Sequence, residues 1–153
     1  YYFCQRFYFD LLKTLMKLIS LLGTSAFYLI ISAAFFLLGQ RKVFYELAAG
    51  LVLSYVVIIV IRLLYPKDRP IKKDYKNFIE KIDVSSFPSM HSCRAAMLFF
   101  LISYNFRNFL LFISLAALAI LVSWSRYYLK KHYLPDIVAG FLLGIILSFV
   151  VIL

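Results

Sequence analysis

The chain contains two histidines, His91 and His132, and each lies where a long apolar run meets a polar segment. Near neutral pH, histidine is the side chain best suited to exchange a proton or to attack as a neutral base. Asp136 follows His132 by four residues, so the two share a face if the segment is helical and can still touch if it loops across Pro135. A carboxylate that accepts a hydrogen bond from one ring nitrogen leaves the other nitrogen free as a nucleophile.

Three arginines accompany the histidines at the ends of the apolar runs: Arg62, Arg69 and Arg126. Guanidinium groups match tetrahedral oxyanions by paired hydrogen bonds, and an arginine at the end of a membrane span is costly unless it has a partner or a function. Ser89 follows Pro88 and opens an apolar run, where the free N–H groups of a helix start favour an anion. This combination indicates phosphoryl transfer, in which positioning and electrostatics do most of the work.

Each of these residues also admits a purely structural role. Arg62 and Arg69 could end spans beside lipid phosphates, as basic residues commonly do. His91 could belong to a capped helix start, and His132 could be a polar residue of the membrane interface. The functional interpretation depends on their occurrence together, in order and with specific spacings, at one membrane face.

The apolar runs that must position these residues predict an all-α fold, a polytopic transmembrane helical bundle of about five spans in one domain over residues 1–153. The predicted spans are 18–38, 43–64, 89–104, 107–124 and 135–153. Residues 1–17 have charges and apolar side chains on different helical faces, which predicts an N-terminal amphipathic interfacial helix; a distorted extension of the next helix is the alternative. Gly140 and Gly144 are spaced for close helix contact in the last span.

Five spans place the N-terminal helix, the 65–88 loop and the 124–135 segment on one face, which we call the active face. Apolar residues of the loop recur at helical spacing and predict a short interfacial helix: Ile71, Tyr75, Phe78, Ile79 and Ile82. Of the 17 lysines and arginines, Arg41, Lys42 and Arg107 fall on the opposite face and the remaining fourteen on the active face. The positive-inside rule applied to this count favours a cytoplasmic active face.

The composition argues against a soluble protein, because 64% of the residues are hydrophobic and the mean hydropathy is +0.89. A net charge of +10 suits anionic lipids or phosphorylated substrates, and its placement in short loops argues against nucleic acid. Cys4 and Cys93 give no disulfide framework and no metal-ligand spacing, and Cys93 is expected to be a small core residue. Charges interrupt the first apolar stretch, so no cleavable signal peptide is expected within it.

The spacings resemble the three motifs of the type 2 phosphatidic acid phosphatase family. The first motif consists of a basic residue, six further residues and then Arg-Pro. In this chain it is Arg62, the six residues LLYPKD, Arg69 and Pro70. The second, Pro-Ser-Gly-His, reads Pro88, Ser89, Met90 and His91. The third motif consists of Ser-Arg, five residues, His, three residues and Asp. It is complete in this chain, as Ser125 and Arg126, the residues YYLKK, His132, the residues YLP, and Asp136. Two positions depart from the pattern, since Arg62 replaces the usual lysine and Met90 the usual glycine.

The resemblance implies a role for each matching residue. His132 is expected to attack phosphorus and become a phosphohistidine, Asp136 to orient it, and His91 to protonate the leaving oxygen and then activate water. The expected phosphate ligands are Arg62, Arg69, Ser89, Met90 and Arg126, with Pro70, Pro88 and Ser125 in supporting positions. The family works without a metal ion, so no metal or other cofactor is expected.

The implied activity is that of a lipid phosphatase of the cell (inner) membrane. Its substrate would be a membrane lipid phosphate: phosphatidate, phosphatidylglycerophosphate, an isoprenyl diphosphate or lipid A 1-phosphate. Many bacterial relatives carry their site on the outer side, so an outer, periplasmic site is expected by analogy and against the charge count. The same residues would serve a lipid phosphotransferase, and a non-catalytic lipid-binding membrane protein is the third interpretation. Vanadium haloperoxidases share the constellation but are soluble.

Overall fold

A computed structural model describes residues 2–71, 77, 80, 82 and 84–153. Six helices are described from end to end: α1 (Tyr2–Leu21), α2 (Ser25–Leu37), α3 (Arg41–Leu64), α4 (Met90–Phe106), α5 (Phe109–Tyr128) and α6 (Leu134–Ile152). These described residues include no strand, which confirms the all-α prediction for that part of the chain. The short helix predicted from Tyr75, Phe78 and Ile79 falls outside the described residues.

Polar residues in the connections cap the helices that follow them. Thr24 Oγ1 accepts a hydrogen bond from the Phe27 N–H at 3.3 Å, and Asn108 Oδ1 accepts one from the Leu111 N–H at 3.0 Å. Ser89 occupies the same capping position before α4. Each cap satisfies an N–H group that has no partner within its own helix. The caps therefore define where α2, α4 and α5 begin.

The first apolar stretch is broken rather than continuous. A helix boundary near residue 18 was expected, but α1 continues to Leu21, and α2 starts only at Ser25, with a bend of 50° between them. Gly23 lies in the break, and a Cβ atom there would come within 2.8 Å of Val122 Cγ1 and 3.0 Å of His91 Cβ. The break therefore allows the chain to pack closely against α4 and α5, beside one of the two histidines.

The predicted number of five spans is not confirmed. By length and composition, α3, α5 and α6 can each cross a membrane, and the bent α1–α2 pair adds a fourth if it counts as one broken span. The other two candidates are short: α2 has 13 residues and α4 has 17. At 1.5 Å per residue, α2 alone is roughly 20 Å long, less than the hydrocarbon core of a bilayer.

The central helix is α4, which is buried along most of its length between α3, α5 and α6. Its closest neighbour is α6, where a Cβ atom on Gly140 would collide with the Ser89 carbonyl and one on Gly144 with the Cys93 carbonyl. The close helix contact predicted for these glycines is confirmed. Cys93 is fully buried at this contact, as expected for a small core residue. Contact between the two backbones holds the start of α4 beside the start of α6.

The α4–α6 contact should tolerate no added methyl group. We expect Gly144→Ala to lower the free energy of unfolding by about 1–3 kcal/mol, because the new Cβ forces the two backbones apart. Thermal unfolding in detergent measures the change. Val138→Ile, which adds a carbon on an exposed part of α6, serves as the control. Equal unfolding temperatures for the two variants would contradict the proposed packing constraint.

Candidate active site

A cavity of about 300 Å³ lies where α3 and α5 end and α4 begins. Its lining includes both histidines and four arginines among the described residues: Ser25, Tyr55, Arg62, Arg69, Met90, His91, Arg94, Arg126 and His132. The first and third motifs, separated by more than fifty residues in sequence, thus contribute to one space. The described residues of this lining include no carboxylate. Such a cavity attracts a small, multiply charged anion.

His132 is held in one tautomer by the backbone. It lies in the connection between α5 and α6, is 2% exposed, and places Nδ1 2.7 Å from the Ser86 carbonyl oxygen. A carbonyl oxygen only accepts hydrogen bonds, so Nδ1 carries the proton and donates it. Nε2 then retains its lone pair on a side chain that lines the cavity, which is the arrangement of an oriented nucleophile.

Asp136 lies behind His132, fully buried, and is connected to it through Ser86. The Asp136 carboxylate accepts hydrogen bonds from Lys67 Nζ at 2.6 Å, Ser86 Oγ at 2.8 Å and the Tyr133 N–H at 3.0 Å. Asp136 and His132 were expected to be in direct contact, but Ser86 bridges them instead. The Ser86 hydroxyl donates to Asp136, and the Ser86 carbonyl accepts from His132. The reason is that Asp136 begins α6 and closes its first turn onto Tyr133.

Burial, together with the positive charges of Arg126 and Arg69, lowers the pKa of His132 from 6.5 to about 3. The hydrogen bond to the Ser86 carbonyl and the charge of Asp136 oppose this shift without cancelling it. His132 is consequently neutral in the empty site across the physiological pH range. A neutral imidazole is the form that can attack phosphorus.

Two of the predicted arginines are anchored by neighbouring elements. Arg62, 4% exposed at the end of α3, donates from Nη1 to the Ile82 carbonyl and from Nη2 to the Pro88 carbonyl, both at 3.2 Å. Arg126, near the end of α5, donates from Nη1 to Ser20 Oγ at 2.7 Å, and its buried Nε has no hydrogen-bond partner in the described part of the chain. The backbone before α4 and the end of α1 thus fix the direction of these guanidiniums.

The predicted phosphate ligand Ser89 and the predicted supporting residues Ser125, Pro88 and Pro70 lie outside the described lining of this cavity. Ser89 caps α4 through Ser92, and its N–H donates to the Asp136 carbonyl at 2.9 Å. The Ser125 hydroxyl donates a hydrogen bond to the Val122 carbonyl at 2.6 Å. Of the two roles open for Ser125, a bond to phosphate or a bond to a neighbouring backbone group, the structure shows the second. Pro88 is buried, and Pro70 borders a second cavity. At the helix start it is Met90 and His91 that line the site.

The described residues also include contributors that were not predicted, among them Ser20, Lys67, Ser86 and Arg94. Arg94 is 3% exposed on α4, with its Nη2 2.6 Å from Met90 Sδ and its Cζ 4.7 Å from the centre of the Tyr55 ring. The sequence did contain a signal for Arg94, because this residue is a charge inside an apolar run, three residues after His91. Lys67 was one of many basic residues in its loop, and nothing in the sequence distinguishes Ser20 or Ser86.

A larger cavity of about 710 Å³ adjoins the first, and His132 contributes to both. We call this second cavity the vestibule. It lies between α1, the connection after Arg69, and the end of α5, and it is lined by Phe9, Lys13, Pro70, Ile71, Trp124, Tyr127, Tyr128, Leu129, Lys130, His132 and Tyr133. Aromatic rings mixed with lysines are typical of a membrane interface. The vestibule therefore offers a route from the interface to the nucleophile.

The donor groups do not suit a resident metal ion. No group of three or more His, Cys, Asp or Glu side chains is placed to ligate a metal within the described ranges. The Asp136 carboxylate, which lies behind His132, is already bound by Lys67 and two further donors.

Comparison with known proteins identifies one family. Residues 64–153 match the model of the PAP2 superfamily. Phosphatidylglycerophosphatase B of Bacillus subtilis is 33% identical, over 58% of this chain and 53% of that protein. The putative undecaprenyl-diphosphatase YbjG of Escherichia coli is 32% identical, over 72% of this chain and 56% of that protein. The chain thus spans little more than half the length of the curated relatives it matches.

Two solved structures share the fold. The crystal structure of Aquifex aeolicus LpxE aligns with a TM-score of 0.78 at 21% identity, over 93% of this chain and 86% of that chain. A transmembrane PAP2-type phosphatidylglycerolphosphate phosphatase from Bacillus subtilis aligns with a TM-score of 0.70 at 25% identity, over 92% and 74%. Together with the apolar helices, the transmembrane neighbour indicates an integral membrane protein.

The lowered pKa of His132 predicts an unusual titration. His91→Gln leaves His132 as the only histidine, so its ¹⁵N resonances in detergent can be followed without ambiguity. We expect the neutral Nδ1–H form to persist at pH 5, because the folded pKa lies near 3. The unfolded side chain binds a proton at about 6.5, so stability should fall as pH drops from 6.5 toward 3. A folded midpoint near 6.5 would contradict the burial and charge argument.

The ion pair between Lys67 and Asp136 lies outside the described cavity lining and should contribute to the stability of the fold. Lys67→Met leaves a fully buried carboxylate without its cation and should lower the free energy of unfolding by about 1–3 kcal/mol. Lys17→Met, on an exposed surface of α1, removes the same charge and should change little. Thermal unfolding of both variants at pH 7 provides the comparison; matching midpoints would show that Lys67 does not support Asp136.

Proposed function

Since this chain belongs to the PAP2 superfamily, we propose that it is a membrane lipid phosphatase that hydrolyses a lipid phosphate ester or diphosphate without a metal ion. The observation that carries the proposal is the neutral His132, with its Nε2 unprotonated, in a cavity that also contains His91 and four arginines. A nucleophile, a proton donor and an oxyanion-binding wall are the groups that phosphoryl transfer requires.

In the first step, His132 Nε2 forms a bond to phosphorus while the bond from phosphorus to the lipid oxygen breaks. His91, protonated in the substrate complex, gives its proton to that oxygen, and the lipid alcohol departs. The phosphorylated ring carries positive charge and keeps its Nδ1 proton on the Ser86 carbonyl. Asp136, which binds the Ser86 hydroxyl, supplies compensating negative charge behind the ring.

In the second step, water attacks the phosphohistidine, and neutral His91 takes a proton from that water. The bond from phosphorus to Nε2 breaks, inorganic phosphate is released, and both histidines return to their starting states. Arg62, Arg69 and Arg126 stabilise the charge on the phosphoryl oxygens in both steps. Met90 and His91 add the first-turn N–H groups of α4, which have no partner within the helix. Pro70, Pro88, Ser89 and Ser125 support this arrangement from behind.

The substrate class follows from the surroundings of the cavity. A separate apolar cavity of about 250 Å³ is lined by Leu22, in the break between α1 and α2, and by residues of α2, α4 and α5, including Val122. Gly23 packs against both Val122, which lines this apolar space, and His91, which lines the phosphate cavity. A lipid whose phosphate reaches His132 could lay part of a chain there. The relatives named for phosphatidylglycerophosphate and undecaprenyl diphosphate support the same substrate class.

For the membrane arrangement, we propose five spans, α2 to α6, with α1 at the interface. Support comes from the site itself, because its residues lie at the end of α3, the start of α4, the end of α5 and the start of α6, which a five-span path brings to one face. We assign the protein to the cell membrane with the cavity on the outer face, as the family resemblance implies. The distribution of basic residues opposes this orientation.

A second candidate is a lipid phosphotransferase, which the vestibule favours. Its volume of about 710 Å³ beside His132 is enough for an acceptor alcohol to reach the phosphohistidine in place of water. The chemistry before that step is identical in both candidates. Only the products distinguish them.

The proposed reaction predicts metal-independent release of phosphate that depends on His132. Protein purified in detergent, incubated with a panel of lipid phosphates and a chelator, should release inorganic phosphate from at least one of them. His132→Ala should reduce the rate by about 10³-fold or more, because it removes the nucleophile. Lys17→Met should retain the wild-type rate.

The same assay separates the alternatives. A phosphorylated protein that passes its phosphate to added alcohols, with little free phosphate, would identify a transferase. A folded protein that binds lipid phosphates, yet gives neither free phosphate nor a phosphorylated intermediate, would contradict both enzymatic proposals and leave a lipid-binding role.

A further inference from the structure

Lys67 lies in the connection between α3 and α4, within the six residues that the first motif leaves unspecified between Arg62 and Arg69. Its side chain is 30% exposed, and Lys67 is absent from the described lining of both the phosphate cavity and the vestibule. It takes no direct part in the proposed reaction. Its contacts nevertheless lead to the nucleophile by two separate paths.

The first path runs through the backbone of the segment before α4. The Ser86 N–H donates to the Lys67 carbonyl at 2.8 Å, and the Lys67 N–H donates to Ser85 Oγ at 3.2 Å. The carbonyl of the same Ser86 accepts the hydrogen bond from His132 Nδ1. The backbone of Lys67 therefore anchors the residue whose carbonyl selects the tautomer of His132.

The second path runs through the Lys67 side chain. Nζ lies 2.6 Å from Asp136 Oδ1, and the other oxygen of this carboxylate accepts a hydrogen bond from the Ser86 hydroxyl at 2.8 Å. The rings of Phe87 and Tyr133 lie beside the ammonium group, with their centres 5.7 Å and 5.1 Å from Nζ. Aromatic faces attract a cation. The amine is thus held at the position from which it fixes the Asp136 carboxylate.

Together the two paths and the nucleophile occupy the backbone and side-chain polar groups of Ser86. Its N–H binds Lys67, its hydroxyl binds Asp136 and its carbonyl binds His132, in a residue with no exposed surface. A buried polar network whose members are all satisfied is rigid. Without the amine, the Asp136 carboxylate would be a buried charge lacking its cation, and it would turn toward water or another donor. The Ser86 hydroxyl would then lose the acceptor that fixes it.

We propose that Lys67 is a positioning residue for His132. By holding Ser86 and Asp136, it keeps the imidazole proton on Nδ1 and the lone pair of Nε2 toward the cavity. A neutral imidazole can carry its proton on either ring nitrogen, so only one of its two tautomers can attack phosphorus in this orientation. This inference rests on the proposed function. It predicts that Lys67 affects the rate of the chemical step and leaves substrate binding almost unchanged.

Kinetics in detergent, with the lipid phosphate that is hydrolysed fastest, test this role. Lys67→Met removes the charge and the donor, and it should lower kcat by about 10- to 100-fold, the usual cost of losing a group that orients a functional histidine. KM should change by less than about threefold, because the described cavity lining is unaltered. Lys67→Arg retains a cation with N–H donors and should recover most of the lost kcat.

Two further variants complete the kinetic comparison. Lys17→Met removes the same charge from an exposed position on α1 and should change neither kcat nor KM. If Lys67→Met does not fold, Lys67→Gln takes its place, because it removes the charge and keeps a neutral donor. We expect Lys67→Gln to lower kcat in the same direction, again without a matching change in KM.

The tautomer of His132 can be measured without any turnover. In a His91→Gln background, the ¹⁵N resonances of His132 show which ring nitrogen carries the proton. We expect only the Nδ1–H form when Lys67 is present, and a second population with Nε2–H in Lys67→Met. Ser86→Ala breaks the same path one bond further on. It should therefore give the same mixture, and adding Lys67→Met to it should have no further effect.

Three results would overturn the proposal: an unchanged His132 tautomer in folded Lys67→Met, a loss that appears in KM while kcat keeps its wild-type value, or a lower unfolding temperature with tautomer and rate both unchanged. If the wild-type protein hydrolyses no lipid but the tautomer still depends on Lys67, the hydrolytic function fails and the positioning role stands. If hydrolysis depends on His132 and not on Lys67, hydrolysis stands and the positioning role fails.

Discussion

The hydrogen bond from His132 Nδ1 to the Ser86 carbonyl is the contact on which the site depends. It selects the tautomer, directs the lone pair of Nε2 and fixes the ring between the end of α5 and the segment before α4. The carbonyl is itself immobilised, because the hydroxyl of Ser86 is bound to Asp136 and Asp136 to Lys67. A chain of buried polar contacts thus does for His132 what a directly bonded carboxylate does in other nucleophilic sites.

This chain of contacts is useful only because two helix starts are held side by side. The Ser89 N–H donates to the Asp136 carbonyl, and Gly140 brings the backbone of α6 against the same serine. Replacing that glycine by a larger residue would separate the starts of α4 and α6, and with them His91 and His132. The second and third motifs are therefore one packing unit, in which small residues far from the chemistry set the distance between the two histidines.

Spacing in the sequence was enough to identify both histidines, three of the cavity arginines and Asp136, because each lies at a fixed interval from a helix end. The same spacing did not identify Lys67, Ser86 or Ser20. Their roles depend on contacts between elements far apart in the sequence, and the local pattern does not encode such contacts. The bend at Gly23 was missed for a similar reason: an uninterrupted apolar run predicts one helix, but tertiary packing against Val122 and His91 and a Thr24 cap favour two. The cap position of Ser89 was recognised from the sequence, but the bond from its N–H to α6 was not.

Concentrated positive charge also bears on the order in which products leave. In the proposed reaction, the four guanidiniums that line the cavity attract the negative charge of a phosphoryl group and so retain it. The lipid product carries less charge than the substrate and can return to the apolar space beside Gly23 once its oxygen is protonated. In the proposed reaction, phosphate stays covalently bound to His132 until water arrives, and the vestibule beside that ring is lined by the aromatic and basic residues of the interface. Because His132 lies between an apolar space and a basic, aromatic space, the lipid and the phosphate leave by separate routes in the proposed reaction.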